Sequence, residues 1–184
     1  LILLALAASV IVYFFRNPER ISDDDDERAI LSPTDGVIVS IDDEYEDRFV
    51  KDDCVCVAIA TSLEDAHFIR APFASIFKAK NSLHGTFLPI KNEKAKSLNE
   101  RFAAYFEGEK GHKYAISIIA GSLATKISLY KETDNKIRAG ERMSFLKSEF
   151  QTILYLPKNV ELKKAVGEKV KAGESVIGYF KDAE

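Results

Sequence analysis

Short β-forming runs, cut apart by turn residues, constrain this chain more than any other feature. Cys54-Val55-Cys56-Val57-Ala58-Ile59-Ala60 is continuously apolar between charged residues before it and Thr61-Ser62 after it, which predicts a strand buried on both faces. Ala29-Ile30-Leu31 leads into Ser32-Pro33-Thr34-Asp35-Gly36, where Pro fixes φ and Asp-Gly closes a turn, and the alternating Val37-Ile38-Val39-Ser40-Ile41 follows. This reads as strand, turn, strand. Further strands are predicted over 114–119, 124–130 and 152–156, with Gly121 and Gly140 as breaks. Helix formers concentrate in 91–106, where Ala95, Leu98 and Phe102 share a helical face and predict one or two short helices. The expected fold class is mainly β with minor helix (α+β), built from antiparallel sheets.

At 184 residues and 46% hydrophobic content the chain suits one domain with a sizeable core. With 30% charged residues, five prolines and nine glycines it is neither disordered, collagen-like nor polytopic. Residues 1–15, LILLALAASVIVYFF, carry no charge and stop sharply at Arg16. A bilayer span needs about 20 apolar residues. The chain opens on Leu1 rather than Met, so the segment is expected to be a truncated membrane-anchor helix. A signal-peptide apolar stretch and a buried core helix are the competing readings. Residues 16–29, with the acidic run from Asp23 to Glu27, are expected to form a solvated linker, and 30–184 the globular domain.

Charge is divided unevenly. Residues 16–66 hold five Lys/Arg against 16 Asp/Glu, and 67–184 hold 21 against 13. A basic later portion is most simply a solvated surface, and it also suits an anionic lipid surface or a nucleic acid. The basic residues are scattered without aromatic interleaving, which argues against nucleic acid as a partner. Cys54 and Cys56 lack the spacing of a zinc site and are expected to be buried small residues. His84 and His112 belong to no ligand pair, so no metal is expected. Gly108-Glu109-Lys110-Gly111 is a turn, since no phosphate-loop motif surrounds it. The two Gly-centred turns of 166–180 are similar to the hairpins of lipoyl and biotinyl carrier domains. Lys169 and Lys171, however, flank Val170 inside a strand-like run rather than a hairpin tip, which makes a lysine-modified carrier the weakest reading.

Seven fragments taken in order resemble one family, the phosphatidylserine decarboxylases in their short bacterial and archaeal form. They are Phe14-Phe15-Arg16-Asn17-Pro18-Glu19-Arg20, Leu31-Ser32-Pro33-Thr34-Asp35-Gly36, Glu64-Asp65-Ala66-His67-Phe68-Ile69-Arg70-Ala71-Pro72, His84-Gly85-Thr86-Phe87, Asn99-Glu100-Arg101, Ile119-Ala120-Gly121, and Gly140-Glu141-Arg142 ahead of Tyr155-Leu156-Pro157. The resemblance implies a membrane-associated carboxy-lyase of phosphatidylethanolamine biosynthesis, placed at the cell inner membrane by a single N-terminal anchor. It also implies a self-made pyruvoyl cofactor. In the family a serine attacks the preceding glycine carbonyl, and the serine remnant becomes a pyruvoyl group that serves as an electron sink. Activating that serine calls for an Asp-His pair. By motif the pair maps onto Asp35 and His67.

The serine itself is out of register. Counting without gaps from Gly140-Glu141-Arg142 to Tyr155-Leu156-Pro157 puts Ser148-Glu149-Phe150 on the family's Phe-Gly-Ser positions. Phe150 has no nucleophile. Ser148 lies two residues earlier and, since side chains alternate along a strand, a two-residue shift keeps it on the face of residue 150, about 6.6 Å away. Two readings of this resemblance stand. In the first, Ser148 is the source of the pyruvoyl group, with Asp35 and His67 as its partners. In the second, the chain is an unprocessed relative that binds membrane phospholipid, with self-association or a partner lipid enzyme.

Overall fold

The computed structural model describes residues 2–4, 6, 12–13, 16–22, 24–46, 49–108, 111–122, 127, 129–181. The backbone is mainly antiparallel β. The strands are β1 (Ala29–Leu31), β2 (Gly36–Glu46), β3 (Asp52–Thr61), β4 (Phe68–Arg70), β5 (Ser75–Leu83), β6 (Arg101–Gly108), β7 (Lys113–Ala120), β8 (Lys136–Ile137), β9 (Arg142–Phe145), β10 (Phe150–Pro157), β11 (Val160–Leu162), β12 (Lys169–Val170) and β13 (Val176–Phe180). Eight of them form one sheet in the order β12-β2-β3-β10-β7-β6-β5-β8; β1-β13-β11 form a second sheet and β4-β9 a third.

The central strands are the apolar runs, because a strand flanked on both edges and covered on both faces has no room for charge. Along β10 the side chains alternate. Phe150, Leu154 and Leu156 enter the main core with Val57 and Ile59 of β3 and Ile116 and Ile118 of β7. Ile153 and Tyr155 point the other way, onto a smaller cluster of Val50, Cys54, Cys56, Ala103, Tyr105 and Ala115. The expected burial of 54–60 on both faces is therefore present, and Cys54 and Cys56 are buried free thiols.

Helix is scarcer than the composition of 91–106 predicts. One turn, α1 (Ala95–Leu98), forms, and from Arg101 the chain becomes β6. Pairing on both edges, with β5 and β7, and burial of Phe102, Ala104 and Phe106 outweigh the local helix preference. Most of the strand predicted at 124–130 and most of the anchor at 1–15 lie outside the described residues. Of the anchor, Ile2, Leu3, Leu4, Leu6, Val12 and Tyr13 are helical and exposed. Among the described residues no helix is long and apolar enough to cross a membrane.

The acidic stretch of 16–29 is tied to the body at several points. Arg20 bridges Asp35 and Glu174, Arg142 donates to Glu19, Arg70 donates to the Pro18 carbonyl, and Tyr179 donates to Asp24. Arg142 of the body thus takes up the charge of Glu19, while Arg20 of this stretch takes up the charges of Asp35 and Glu174 in the body.

Candidate functional site

Asp35 is held by the turn that starts β2. Gly36 takes φ +146°, and a Cβ there would lie 2.2 Å from the Ala60 carbonyl oxygen, so only glycine lets the turn press against β3. The Asp35 carboxylate is buried and fully engaged. Oδ1 accepts from the Ala172 backbone N–H at 2.7 Å, and Oδ2 accepts from Arg20 Nη2 at 2.9 Å. The Thr61 hydroxyl donates to the Asp35 carbonyl at 2.6 Å.

His67 lies just before β4, buried to 2% exposure. Its Nε2 is 3.1 Å from the Ser62 carbonyl oxygen. That oxygen can only accept, so Nε2 carries the proton and the neutral tautomer is fixed. Burial is the main reason that the imidazole pKa falls below its ordinary value of 6.5; the Ser62 carbonyl and the Asp65 and Asp35 carboxylates pull weakly upward. The ring packs against Phe145 and Phe150, with centroids 6.5 Å and 6.2 Å away. The Leu146 N–H donates to the His67 carbonyl at 3.1 Å, which fastens the segment following β9 beside it.

Ser148 sits in the bend between β9 and β10, and β10 begins only at Phe150. Alternation along a strand therefore gives no reason for Ser148 to share the face of residue 150. Its hydroxyl is buried and, among the described residues, has no hydrogen-bond partner. Phe150 is wholly buried, paired in register with Thr61 on one side and Ala120 on the other. Glu149 is fixed between them by the Gly121 N–H, which donates to its carbonyl at 3.1 Å, and by the Ser122 hydroxyl on its carboxylate. A Cβ on Gly121 would stand 2.5 Å from that carbonyl oxygen.

The fold thus gathers Asp35, His67, Ser148 and Phe150 at one end of the large sheet. Among the described residues no hydrogen bond joins Asp35 to His67 or either of them to Ser148. Three site residues were not singled out by the sequence reading: Arg20, Arg70 and Arg142. Each lay inside a quoted fragment, but nothing local marks their partners, since Arg70 reaches the Gly140 carbonyl at 2.9 Å across 70 residues.

The sequence model of the phosphatidylserine decarboxylase family matches residues 7–178. The chain belongs to the phosphatidylserine decarboxylase family. A phosphatidylserine decarboxylase proenzyme of Geotalea uraniireducens is 32% identical over 170 residues, covering 92% of this chain and 79% of the relative. Its counterpart in Syntrophus aciditrophicus is 32% identical over 168 residues, with 91% and 78% covered. That of Desulfotalea psychrophila is 30% identical over 175 residues, with 95% and 81% covered. A phosphatidylserine decarboxylase acts through a pyruvoyl group, and the residues here do not fit one. Phe150 has no hydroxyl, and among the described residues the Ser148 hydroxyl has no base in hydrogen-bond contact; the His67 Nε2 proton is given to Ser62, so the nitrogen left to act as a base is Nδ1, and it makes no hydrogen bond to Ser148.

Proposed function

We propose that this member of the phosphatidylserine decarboxylase family works uncleaved and without a pyruvoyl group, as a membrane-anchored protein that binds phospholipid rather than turning it over. In this reading residues 1–15 anchor it, 16–29 connect, and the domain 30–184 faces the membrane, at the cell inner membrane, with room for self-association or a partner lipid enzyme. One observation carries the proposal: a wholly buried phenylalanine, Phe150, opens β10 where the gap-free register puts the processing serine, and it packs on His67. Supporting it, both oxygens of the Asp35 carboxylate are taken up within the fold, by Arg20 and Ala172, and among the described residues the Ser148 hydroxyl has no hydrogen bond to His67. The His67 Nε2 proton is given to Ser62, so only Nδ1 is left to act as a base, and Ser148 would need to be brought to it before its proton could be taken.

The test is release of CO₂ from vesicles of phosphatidylserine by the purified full chain. No release above the protein-free blank is expected. Release that disappears in Ser148→Ala would overturn the proposal and reinstate Ser148 as the source of the cofactor.

A further inference from the structure

The pairing register defines one edge of the large sheet. Thr61 of β3 pairs with Phe150 of β10, Phe150 with Ala120 of β7, Ile119 with Arg101 of β6, and Arg101 with Leu83 of β5. With strands about 4.8 Å apart, this row of five strand ends is about 19 Å wide. The candidate site lies along it.

Apolar side chains project from the loops at this same end. Leu63, two residues past Thr61, is 44% exposed, and the end of β5 with the loop that leads to β6 offers Leu83 at 48%, Phe87 at 43% and Leu98 at 49%. The loop is held in shape by the buried Asn99. Its Oδ1 accepts from the Leu88 N–H and the Thr86 hydroxyl, and its Nδ2 donates to the carbonyls of Leu88 and Ala120. The Thr86 N–H donates to the Leu98 carbonyl at 2.7 Å, so Phe87 and Leu98 are held on neighbouring stretches. The exposed apolar chains are thus presented, not left loose.

Charge accompanies them. Lys80, Lys91, Lys94 and Lys96 stand on this loop and its base against two acids, Glu93 and the buried Glu100, and all four lysines are exposed. Among the described residues the lysine ion pairs belong to Lys78, Lys131, Lys158, Lys163, Lys164 and Lys171, so these four are unpaired. The N-terminal apolar segment also joins the body here. The Tyr13 hydroxyl and Arg16 Nη2 both donate to the carbonyl of Glu64, one residue from Leu63.

We infer that this end of the sheet is the membrane face, and that the β5–β6 loop seats Leu83, Phe87 and Leu98 in the interface of an anionic bilayer while Lys91, Lys94 and Lys96 meet its headgroups. Exposed apolar chains carried on one loop with unpaired lysines are the chemistry of interfacial binding, in which burial and attraction to anionic lipid add together. A protein partner would be expected to bring carboxylates and an apolar groove; the convergence with the N-terminal apolar segment favours the bilayer. The inference is independent of whether the chain is cleaved.

The experiment places an environment-sensitive fluorophore on Ser97→Cys of the full chain in phosphatidylcholine vesicles with or without phosphatidylserine. Burial lifts the native thiols of Cys54 and Cys56 to about 11 and about 12, so the introduced cysteine takes the label. Expected are a blue shift and quenching by nitroxide-labelled lipid in the anionic vesicles alone. Neutralising Lys91, Lys94 and Lys96 to Gln should weaken the docking about 100-fold, at about 5-fold per lysine. A label on Lys158→Cys, beyond the far end of β10, should stay unquenched. Equal quenching at both labels, or quenching at Ser97→Cys indifferent to phosphatidylserine and to the lysines, would overturn the assignment.

Discussion

Replacing Phe150 with alanine tests whether this residue is core rather than a lapsed catalytic position. Its side chain is wholly buried, packs on His67, and sits among Leu154, Ile118 and Ile59 in the main cluster. Truncating such a ring removes its transfer free energy and leaves a cavity, together about 3–5 kcal/mol. A native state of this kind is stable by only about 5–15 kcal/mol. With a urea dependence of about 2 kcal/mol per molar, a loss of about 4 kcal/mol moves the unfolding midpoint down by about 2 M. The companion change is Ser148→Ala. Because the Ser148 hydroxyl is buried without a partner among the described residues, removing it should leave the stability unchanged or raise it by up to about 1 kcal/mol. Both are read by urea titration of the full chain in mild detergent, followed by circular dichroism. A cost below about 1 kcal/mol for Phe150→Ala, or above about 1 kcal/mol for Ser148→Ala, would refute the argument: the first would show an unfilled site, the second a serine with a working partner.

Three further outcomes follow from the site. Arg20→Ala strips the charge partner from Asp35, whose pair with it is about nine-tenths buried, and should cost about 3 kcal/mol by the same titration; a double-mutant cycle with Asp35→Ala that finds no coupling would contradict the pairing. His67 is held below its ordinary pKa, so between the folded and unfolded values the unfolded chain binds more protons. Its contribution is therefore intact above about 6.5 and is lost as pH falls from there toward the folded value; His67→Gln should flatten that slope, and an NMR midpoint at or above 6.5 would contradict it. Gly121→Ala drives a Cβ to 2.5 Å from the Glu149 carbonyl oxygen and should cost about 1–3 kcal/mol, seen as a lower thermal midpoint; an unchanged midpoint would mean that the two segments are not in close contact.

The sheet's interior was readable because its signals are local. The apolar runs of β3, β7 and β10 and the Pro-Thr-Asp-Gly turn each carry their own reason to form. The β6 strand was not, since Arg101-Phe102-Ala103-Ala104 has the composition of a helix and becomes a strand only between β5 and β7. The site divides along the same line. Asp35 and His67 could be named from motif, and the fold brings both to one sheet end. What holds Asp35 could not, because Arg20 is 15 residues away in sequence and Ala172 is 137. The position of Ser148 depended on where β10 begins, a boundary that alternation cannot fix. Had the strand reached 148, the two-residue shift would have kept a serine on the face of residue 150; its start at Phe150 leaves Ser148 in the bend.

Whether this chain is ever converted to a pyruvoyl form is read most directly from the intact mass of the purified protein under denaturing conditions. The account predicts one uncleaved species carrying every residue from Ser148 onward on the same chain as Asp35 and His67. Two fragments, one ending at Lys147 and the other starting at position 148 with a carbonyl-reactive blocked end, would contradict it.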